Sequence, residues 1–392
     1  MTGMKVMMVD PWGIYNMYFY TNGLCESIAG LVDLTLWTNC YYPQEKKLSY
    51  PVKRVFFKRS EKMKPGFLRN IIRIVEYYIA YLGLFRELRA HSYDLVHIQW
   101  LLHYKTDIIF LGIIKKLGPK IIYTAHNILP HRSGKKQYAD LSKIYNKVDR
   151  ILVHGEQTRR EFSDLYEDFK NKVSIQRHGS FNGQSTKSDR MLVNEDILAK
   201  MDVSNKLFIF FGNIFYNKGV DRLAKIWLEN FKDLQQYLLI IAGKKDRNYK
   251  ELNEIEAEIK ACTNILYIDH FIEDNLLNYL LEQSQLVLLP YRSASMSGVV
   301  FTAAEFKKPV LATKTGAIEE YLEDEINSFL VDNSDQDYAE KLIYIIENIS
   351  SQQLAQMGIN LRNNFRQHYS WEYIGRELVT NDYRAVMAGT ES

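Results

Sequence analysis

Three cysteines, Cys25, Cys40 and Cys262, are all that the 392 residues contain. An odd, widely spaced set builds neither a disulfide framework nor a zinc site. No run of about 18 apolar residues occurs, so no membrane-spanning helix is expected. Neither Gly-x-Gly-x-x-Gly nor Gly-x-x-x-x-Gly-Lys-Ser/Thr is present, which weighs against a nicotinamide dehydrogenase and a phosphate-loop NTPase. Internal repeats and low-complexity tracts are also missing. The opening Met-Thr-Gly-Met-Lys runs directly into a strand-like Val6 to Val9, leaving no room for a signal peptide, so a cytoplasmic protein is expected.

The small net charge of +3 hides an asymmetry. Between Lys46 and Ala90 there are 12 Lys/Arg against 3 Asp/Glu, leaving −6 for the remainder. That segment is also rich in aromatic and aliphatic residues, as in Val55-Phe56-Phe57-Lys58-Arg59 and the run from Phe67 to Tyr78. Such a mixture suits an anionic membrane surface, giving peripheral contact on the inner face of the cell membrane through residues 46–90. The plainer alternative is a helix packed on its own sheet with a solvated cationic face. No nucleic-acid module is recognisable, and none is expected as a partner.

What the chain does contain is alternation. Strand-like runs fall at Lys5–Val9, Leu34–Trp37, Val52–Phe57, Leu95–Ile98, Ile121–Thr124, Ile151–Val153 and Val173–Gln176. Helical patterns fill most of the gaps, including Phe67–Arg89, Tyr104–Lys116, Lys135–Asn146 and Thr158–Tyr166. A polar stretch from Asn182 to Lys206 reads as a linker. A second series follows, with strands at Leu207–Phe211, Leu238–Ala242, Ile265–Tyr267, Leu286–Leu289, Val310–Ala312 and Phe329–Val331. The pattern predicts an α/β protein of two doubly wound, Rossmann-like parallel-sheet domains. Their expected bounds are 1–184 and 200–369. A final helix from Ser370, within 370–392, is expected to return to the first domain.

Two stretches carry the candidate chemistry. In Leu286 to Glu305 a buried strand stops at Pro290, and a turn ending at Ser297 opens a helix at Gly298. Free N–H groups of Gly298, Val299 and Val300 and the helix dipole would favour an anion there. Glu305 could offer a carboxylate to a ribose. In Phe210 to Val220 a strand ends at Gly212, and Lys218-Gly219 starts the next helix. In a parallel sheet both loops lie on the same edge, so Lys218 and the helix mouth would converge on a diphosphate. Each has a bland alternative: an ordinary strand-turn-helix connection, and a solvated surface lysine.

Taken together, these motifs resemble the retaining nucleotide-sugar glycosyltransferases of glycosyltransferase family 4, with the GT-B fold of two domains facing across a cleft. The resemblance is carried by Gly212-Asn213 with Lys218-Gly219-Val220, by Leu238 to Gly243, by Asn264 to Phe271, by Ser297 to Glu305, and by Lys308 to Thr313 with Gly316. In the first domain Tyr93 to His97 and Tyr123 to Asn127 resemble strand ends that face the sugar. It implies a catalytic set of His126, Lys218 and Glu305. The implied donor-binding groups are Gly212, Asn213, Gly243, Phe271, Arg292, Ser297, Gly298, Val299 and Val300. On the acceptor side it implies Trp12, Gly13, His97 and Asn127. No metal and no cofactor are implied; a UDP- or GDP-sugar is the donor substrate, and a glycan or lipid-linked oligosaccharide is the acceptor.

This chain departs from the family pattern twice. Ser297 stands eight positions before Glu305, where the family has its first acid, and Asn213 stands where an arginine is usual. The alternatives are therefore a degenerate sugar-nucleotide- or glycan-binding protein and a nucleotide-sugar epimerase. His97, His103, His126 and His131 cluster near two predicted strand ends, leaving a metal site or satisfied core histidines as further readings.

Overall fold

The computed structural model describes residues 3–43, 47–128, 135–179, 190, 193–204, 206–294 and 297–389. The chain divides into two compact units, Met1–Asn182 with His368–Ser392, and Gly183–Gln367. Each is built on one wholly parallel sheet. The first contains β1 (Lys5–Asp10), β2 (Asp33–Asn39), β3 (Val52–Phe56), β4 (Leu95–Ile98), β5 (Lys120–Thr124), β6 (Arg150–Val153) and β7 (Val173–Ile175). Their order is β3-β2-β1-β4-β5-β6-β7. The second contains β8 (Lys206–Phe211), β9 (Tyr237–Ala242), β10 (Ile265–Ile268), β11 (Leu286–Leu289), β12 (Val310–Thr313) and β13 (Ser328–Val331), ordered β10-β9-β8-β11-β12-β13. Every strand expected from the sequence forms, its ends displaced by at most two residues.

Helices cover both faces of these sheets, which is why the strands read as near-continuous apolar runs. Leu238 to Ala242 and Leu286 to Leu289, for example, are fully buried. Strand order reverses between β1 and β4 in one sheet and between β8 and β11 in the other. A doubly wound sheet opens a crevice at such a reversal, beyond the carboxyl ends of its strands. Both candidate loops of the second unit follow the strands that flank its reversal.

Among the described residues, three helices of eight or more residues stand where the sequence did not announce them. Glu195–Asp202 lies within the stretch read as a linker. Asn194 caps it by accepting from Asp196 N at 2.7 Å, two acids occupy its first turn, and Met201 is buried. So short a helix shows too few apolar residues to stand out from a polar connection. Asn16–Ile28 and Ser351–His368 each contain an internal glycine, which masks the periodicity. At Gly358 the absence of a side chain admits the Lys307 carbonyl against the helix.

The chain end returns to the first unit, as expected. Ser370 Oγ accepts from Tyr373 N at 3.3 Å and starts Trp371–Glu377, which continues through a π-helical turn, Leu378–Tyr383, into Arg384–Ala388. Trp371, Ile374, Leu378, Val379 and Tyr383 join a core made with Val6, Leu24, Leu95, Ile122 and Leu152. The Trp371 indole fills the space beside Gly23 and Gly179, where a Cβ at either glycine would overlap it. Arg150 and Asp382, both buried, pair at 3.3 Å, and Ser174 Oγ donates to Asp382 at 2.5 Å. Trp371→Ala is expected to destabilise the first unit by about 3–5 kcal/mol, read as a lower urea midpoint. An unchanged midpoint would show that the returning segment is not part of this core.

Candidate active site

At the reversal of the second sheet, two close backbone approaches depend on glycine, at Gly219 and Gly243. Gly212, at the end of β8, has φ 113° and Gly219 has φ 66°, both left-handed backbone. A Cβ on Gly219 would overlap the Pro290 carbonyl at the end of β11, and one on Gly243 would overlap the Gly212 carbonyl. A Cβ on Gly212 would lie 3.6 Å from Val299. The loop after β8 is thereby pressed against β9, β11 and the start of the helix Gly298–Glu305.

Lys218 closes a short 3₁₀ turn, Tyr216–Lys218, just before Gly219 and the helix Val220–Asn230. Its ammonium sits 3.8 Å from the centroid of the Tyr291 ring. Burial pulls its pKa below the usual lysine value. The buried Tyr291 hydroxyl lies 3.2 Å from Ser297 Oγ, and Ser297 is the residue from which Gly298–Glu305 starts. Cation, ring, hydroxyl and helix mouth thus form one continuous contact. Ser297 makes no side-chain cap, and Val300 N bonds Ser297 O at 3.2 Å. Gly298 and Val299 therefore hold the N–H groups at this mouth without an acceptor among the described residues.

Neighbouring groups fix the lysine loop. Arg292 grips Asp221 through both terminal nitrogens at 2.7 and 2.8 Å, bonds Tyr216 O at 3.0 Å, and lies over the Tyr216 ring. Burial alone would raise the Asp221 carboxyl, but hydrogen bonds from Arg292 and Tyr249 outweigh it and hold the pKa below the usual range. Arg292, expected to face a diphosphate, makes these bonds to the lysine loop. Asn213 and Phe271 are exposed, Phe271 by 76%. Glu305 ends its helix 3.6 Å from Arg362 and stays partly exposed.

The first unit presents a different chemistry at its strand ends. His97 is wholly buried; its Nδ1 meets the Tyr383 hydroxyl and its Nε2 meets Thr124 Oγ1, each at 2.7 Å. Gln99 links His97 (3.2 Å) to His126 Nε2 (3.1 Å). His126 Nδ1 meets His154 Nε2 at 2.9 Å, and His154 Nδ1 meets the Gln176 carbonyl at 3.0 Å. A carbonyl only accepts, so His154 carries its proton on Nδ1, and its Nε2 accepts from His126 Nδ1–H. Neutral His126 then needs a donor at Nε2, which a half-turn of the Gln99 amide supplies while its oxygen accepts from His97. Both ring nitrogens of His126 are thus engaged. The ring stacks on Trp100 at 4.4 Å and 8°, and Trp100 in turn lies 5.4 Å from Trp12.

Trp12 N donates to the buried Asp10 carboxylate at 2.9 Å, and Gly13 fits tightly against Asp10 and Thr38. Trp12, Arg73, Trp100, His103, Tyr123 and Asn127 line a cavity of about 320 Å³. The acceptor-side residues therefore separate: Trp12 and Asn127 face this cavity, while His97 lies in the core beneath it. His131 falls outside the described residues. Among those described, no group of three or more His, Cys, Asp or Glu could hold a metal ion.

Several functional neighbours carried no motif: Tyr291, Asp221, Gln99, Trp100, His154 and Arg73. One signal was available. Gln99, His126 and His154 each follow a predicted strand by one or two residues, and Gln176 ends one, as a sheet edge requires of groups that meet there.

With this geometry in hand, comparison with known proteins defines the class. Residues 29–179 match the family described as Glycosyltransferase Family 4, and residues 205–348 match Glycosyl transferases group 1. The fold is shared with the Thermosynechococcus elongatus sucrose-phosphate synthase, at TM-score 0.68 and 13% identity, covering 99% of this chain and 100% of that one. An Anabaena protein, HepE, solved in complex with UDP, matches at TM-score 0.68 and 16% identity, covering 97% and 100%. The architecture is GT-B and the protein is a glycosyltransferase. Its likeness to the family 4 enzymes spans residues 29–179.

Among relatives by sequence, a D-inositol 3-phosphate glycosyltransferase of Corynebacterium urealyticum is 22% identical over 305 residues, 74% of this chain and 70% of the relative. An uncharacterised protein of the Klebsiella pneumoniae cps region is 24% identical over 282 residues, 68% and 72% respectively.

Burial holds His97 and His178 down to about 3 and keeps His126 and His154 below the usual imidazole value. Unfolding restores values near 6.5, so the unfolded chain binds more protons as pH falls, and stability present above 6.5 is lost below it. Asp10 and Asp107, pushed up to about 6 by burial, act in the opposite sense with fewer groups. The first unit's urea midpoint is therefore expected to fall between about pH 7.5 and pH 5. A rise would show that the two carboxyls dominate.

Proposed function

We propose that this glycosyltransferase moves a sugar from a UDP- or GDP-sugar to a growing surface polysaccharide or a lipid-linked oligosaccharide. Transfer retains the anomeric configuration and needs no metal. The observation that carries the reading is the contact from Lys218 through Tyr291 to Ser297 at the reversal of the second sheet. The UDP complex of HepE supports a uridine donor. The cps-region relative supports a surface polysaccharide as product.

In this mechanism the bond between the anomeric carbon and the diphosphate oxygen breaks, and the electron pair leaves with the diphosphate. Lys218 and the N–H groups of Gly298 and Val299 stabilise that negative charge in a partly desolvated setting. Ser297 leaves the helix mouth free of fixed negative charge. The acceptor hydroxyl attacks on the face that the leaving group vacates, and its proton passes to the departing phosphate oxygen. Glu305 holds the ribose, and Phe271 covers the base. His126, with both nitrogens engaged, acts by positioning Trp100.

A binding protein without turnover is the second reading, favoured by Ser297 and Asn213 in place of an acid and an arginine. Product formation with a matched donor separates the two. An epimerase on the same fold would convert donors with no acceptor present.

UDP-, GDP- and ADP-sugars should be distinguished by thermal shift, since a bound donor raises Tm by mass action. Lys218→Ala should lower transfer by about 100-fold, in the range for loss of one group that stabilises a developing anion. Glu305→Ala should lower it by more than about tenfold, with Tm near wild type in both. Near-normal turnover in both variants would remove this mechanism.

A further inference from the structure

The helix Phe67–Ala90 is apolar on two faces. Tyr77, Ala80, Tyr81, Leu84, Phe85 and Leu88 are buried against the sheet. The other face carries Phe67, Leu68, Ile71, Ile74, Val75, Tyr78, Ile79 and Leu82, all exposed. Phe67 is 83% exposed, Leu68 62% and Ile79 61%, so these are whole side chains in solvent rather than edges of a core. Their spacing of three and four residues makes one stripe, about 22 Å long at 1.5 Å per residue. Ile109, on the neighbouring helix Tyr104–Leu117, adds to it; the two helices meet where Tyr78 and Thr106 hydroxyls lie 2.9 Å apart. Single exposed apolar residues need no explanation, but a contiguous stripe marks an interaction surface.

Charge says what covers it. Lys58, Arg59, Lys62 and Lys64 are exposed just before the helix, and Arg86 and Arg89 are exposed near its end. The three acids of this segment are tied inward. Glu61 pairs with Arg73 at 2.9 Å, Glu76 accepts from Arg59 N and from Ser60, and Glu87 pairs with Lys53 at 2.7 Å. The outward charge is therefore positive at both ends of the stripe. A second copy of the chain on this face would set like charge against like in either direction. An anionic bilayer offers the complement: headgroups for the basic ends and acyl chains for the stripe.

We infer that the outward face of Phe67–Ala90 lies in the plane of an anionic membrane surface and anchors the first unit there. The proposal rests on the transferase reading only for what the anchor serves. Arg73, on the same helix, lines the cavity that holds Trp12 and Trp100. A docked helix therefore brings that cavity to the lipid surface, where an acceptor with its tail in the bilayer presents its sugar. No helix among the described residues is long and apolar enough to cross a membrane, so the attachment is peripheral.

Flotation of the full chain with vesicles tests this, comparing phosphatidylcholine alone with phosphatidylcholine mixed with phosphatidylglycerol. One variant combines Ile74→Ser, Ile79→Ser and Leu82→Ser; a second combines Lys58→Glu, Lys62→Glu and Lys64→Glu. Wild type should float with the anionic vesicles only, and each variant should lose at least about tenfold in partitioning. Thermal shift by the best donor should stay unchanged in both, which separates loss of docking from failure of the donor site or of folding. Wild type remaining with neither vesicle, or the serine variant floating as well as wild type, would overturn the inference. So would sedimentation showing a wild-type dimer that the serine variant abolishes, since the stripe would then be covered by a second copy.

Discussion

A positive charge held out of bulk water beside a helix start is the constraint on which the second unit depends. Lys218 is half-buried; its ammonium lies over the Tyr291 ring with part of its hydration shell stripped away. An ammonium in that state gains more from a diphosphate than a hydrated one does, because less water must be displaced and the local dielectric is lower. Holding it there takes the whole loop. Gly212 and Gly219 supply left-handed turns, the carbonyls of Pro290 and Gly212 fill the space where side chains would otherwise stand, and the Asp221–Arg292 pair clamps Tyr216. The glycines read as phosphate contacts in the sequence are equally sites of close backbone packing.

The first unit solves a different problem. Three neighbouring imidazoles near one sheet edge, His97 buried and His126 and His154 half-buried, would repel one another if charged, so each is kept neutral, and their bonds run in one direction from Tyr383 to the Gln176 carbonyl. Such a chain orders protons without creating charge. It leaves the polar work to the second unit and gives the cavity above it a flat, aromatic wall.

Legibility in the sequence followed range. The central strands were readable because a parallel strand buried on both faces is apolar throughout, a property of four to six adjacent residues, whereas the edge strands Val52–Phe56 and Val173–Ile175 mix polar and apolar residues. Lys218, Ser297 and Glu305 were readable because each sits at a fixed distance from a strand end. Tyr291 was not, although it stands between Pro290 and Arg292, because its role depends on a lysine 73 positions earlier. His126 was singled out, but its engagement on both nitrogens depends on Gln99 and His154, each 27 or 28 residues away. The helix Ser351–His368 was hidden by Gly358, whose purpose is a contact with Lys307. What stayed illegible was partnership between distant residues, and the two places where a glycine serves packing rather than a turn.

The path of the chain carries one more consequence. The first unit is sewn from two segments separated by the whole second unit, with Trp371 closing a hole beside Gly23 and Tyr383 completing the hydrogen bonding of His97. During synthesis the whole second unit emerges before those residues do. The first unit therefore waits, with its aromatic socket open, until the segment from Ser370 has been made, and a product truncated before it has no means of closing that socket.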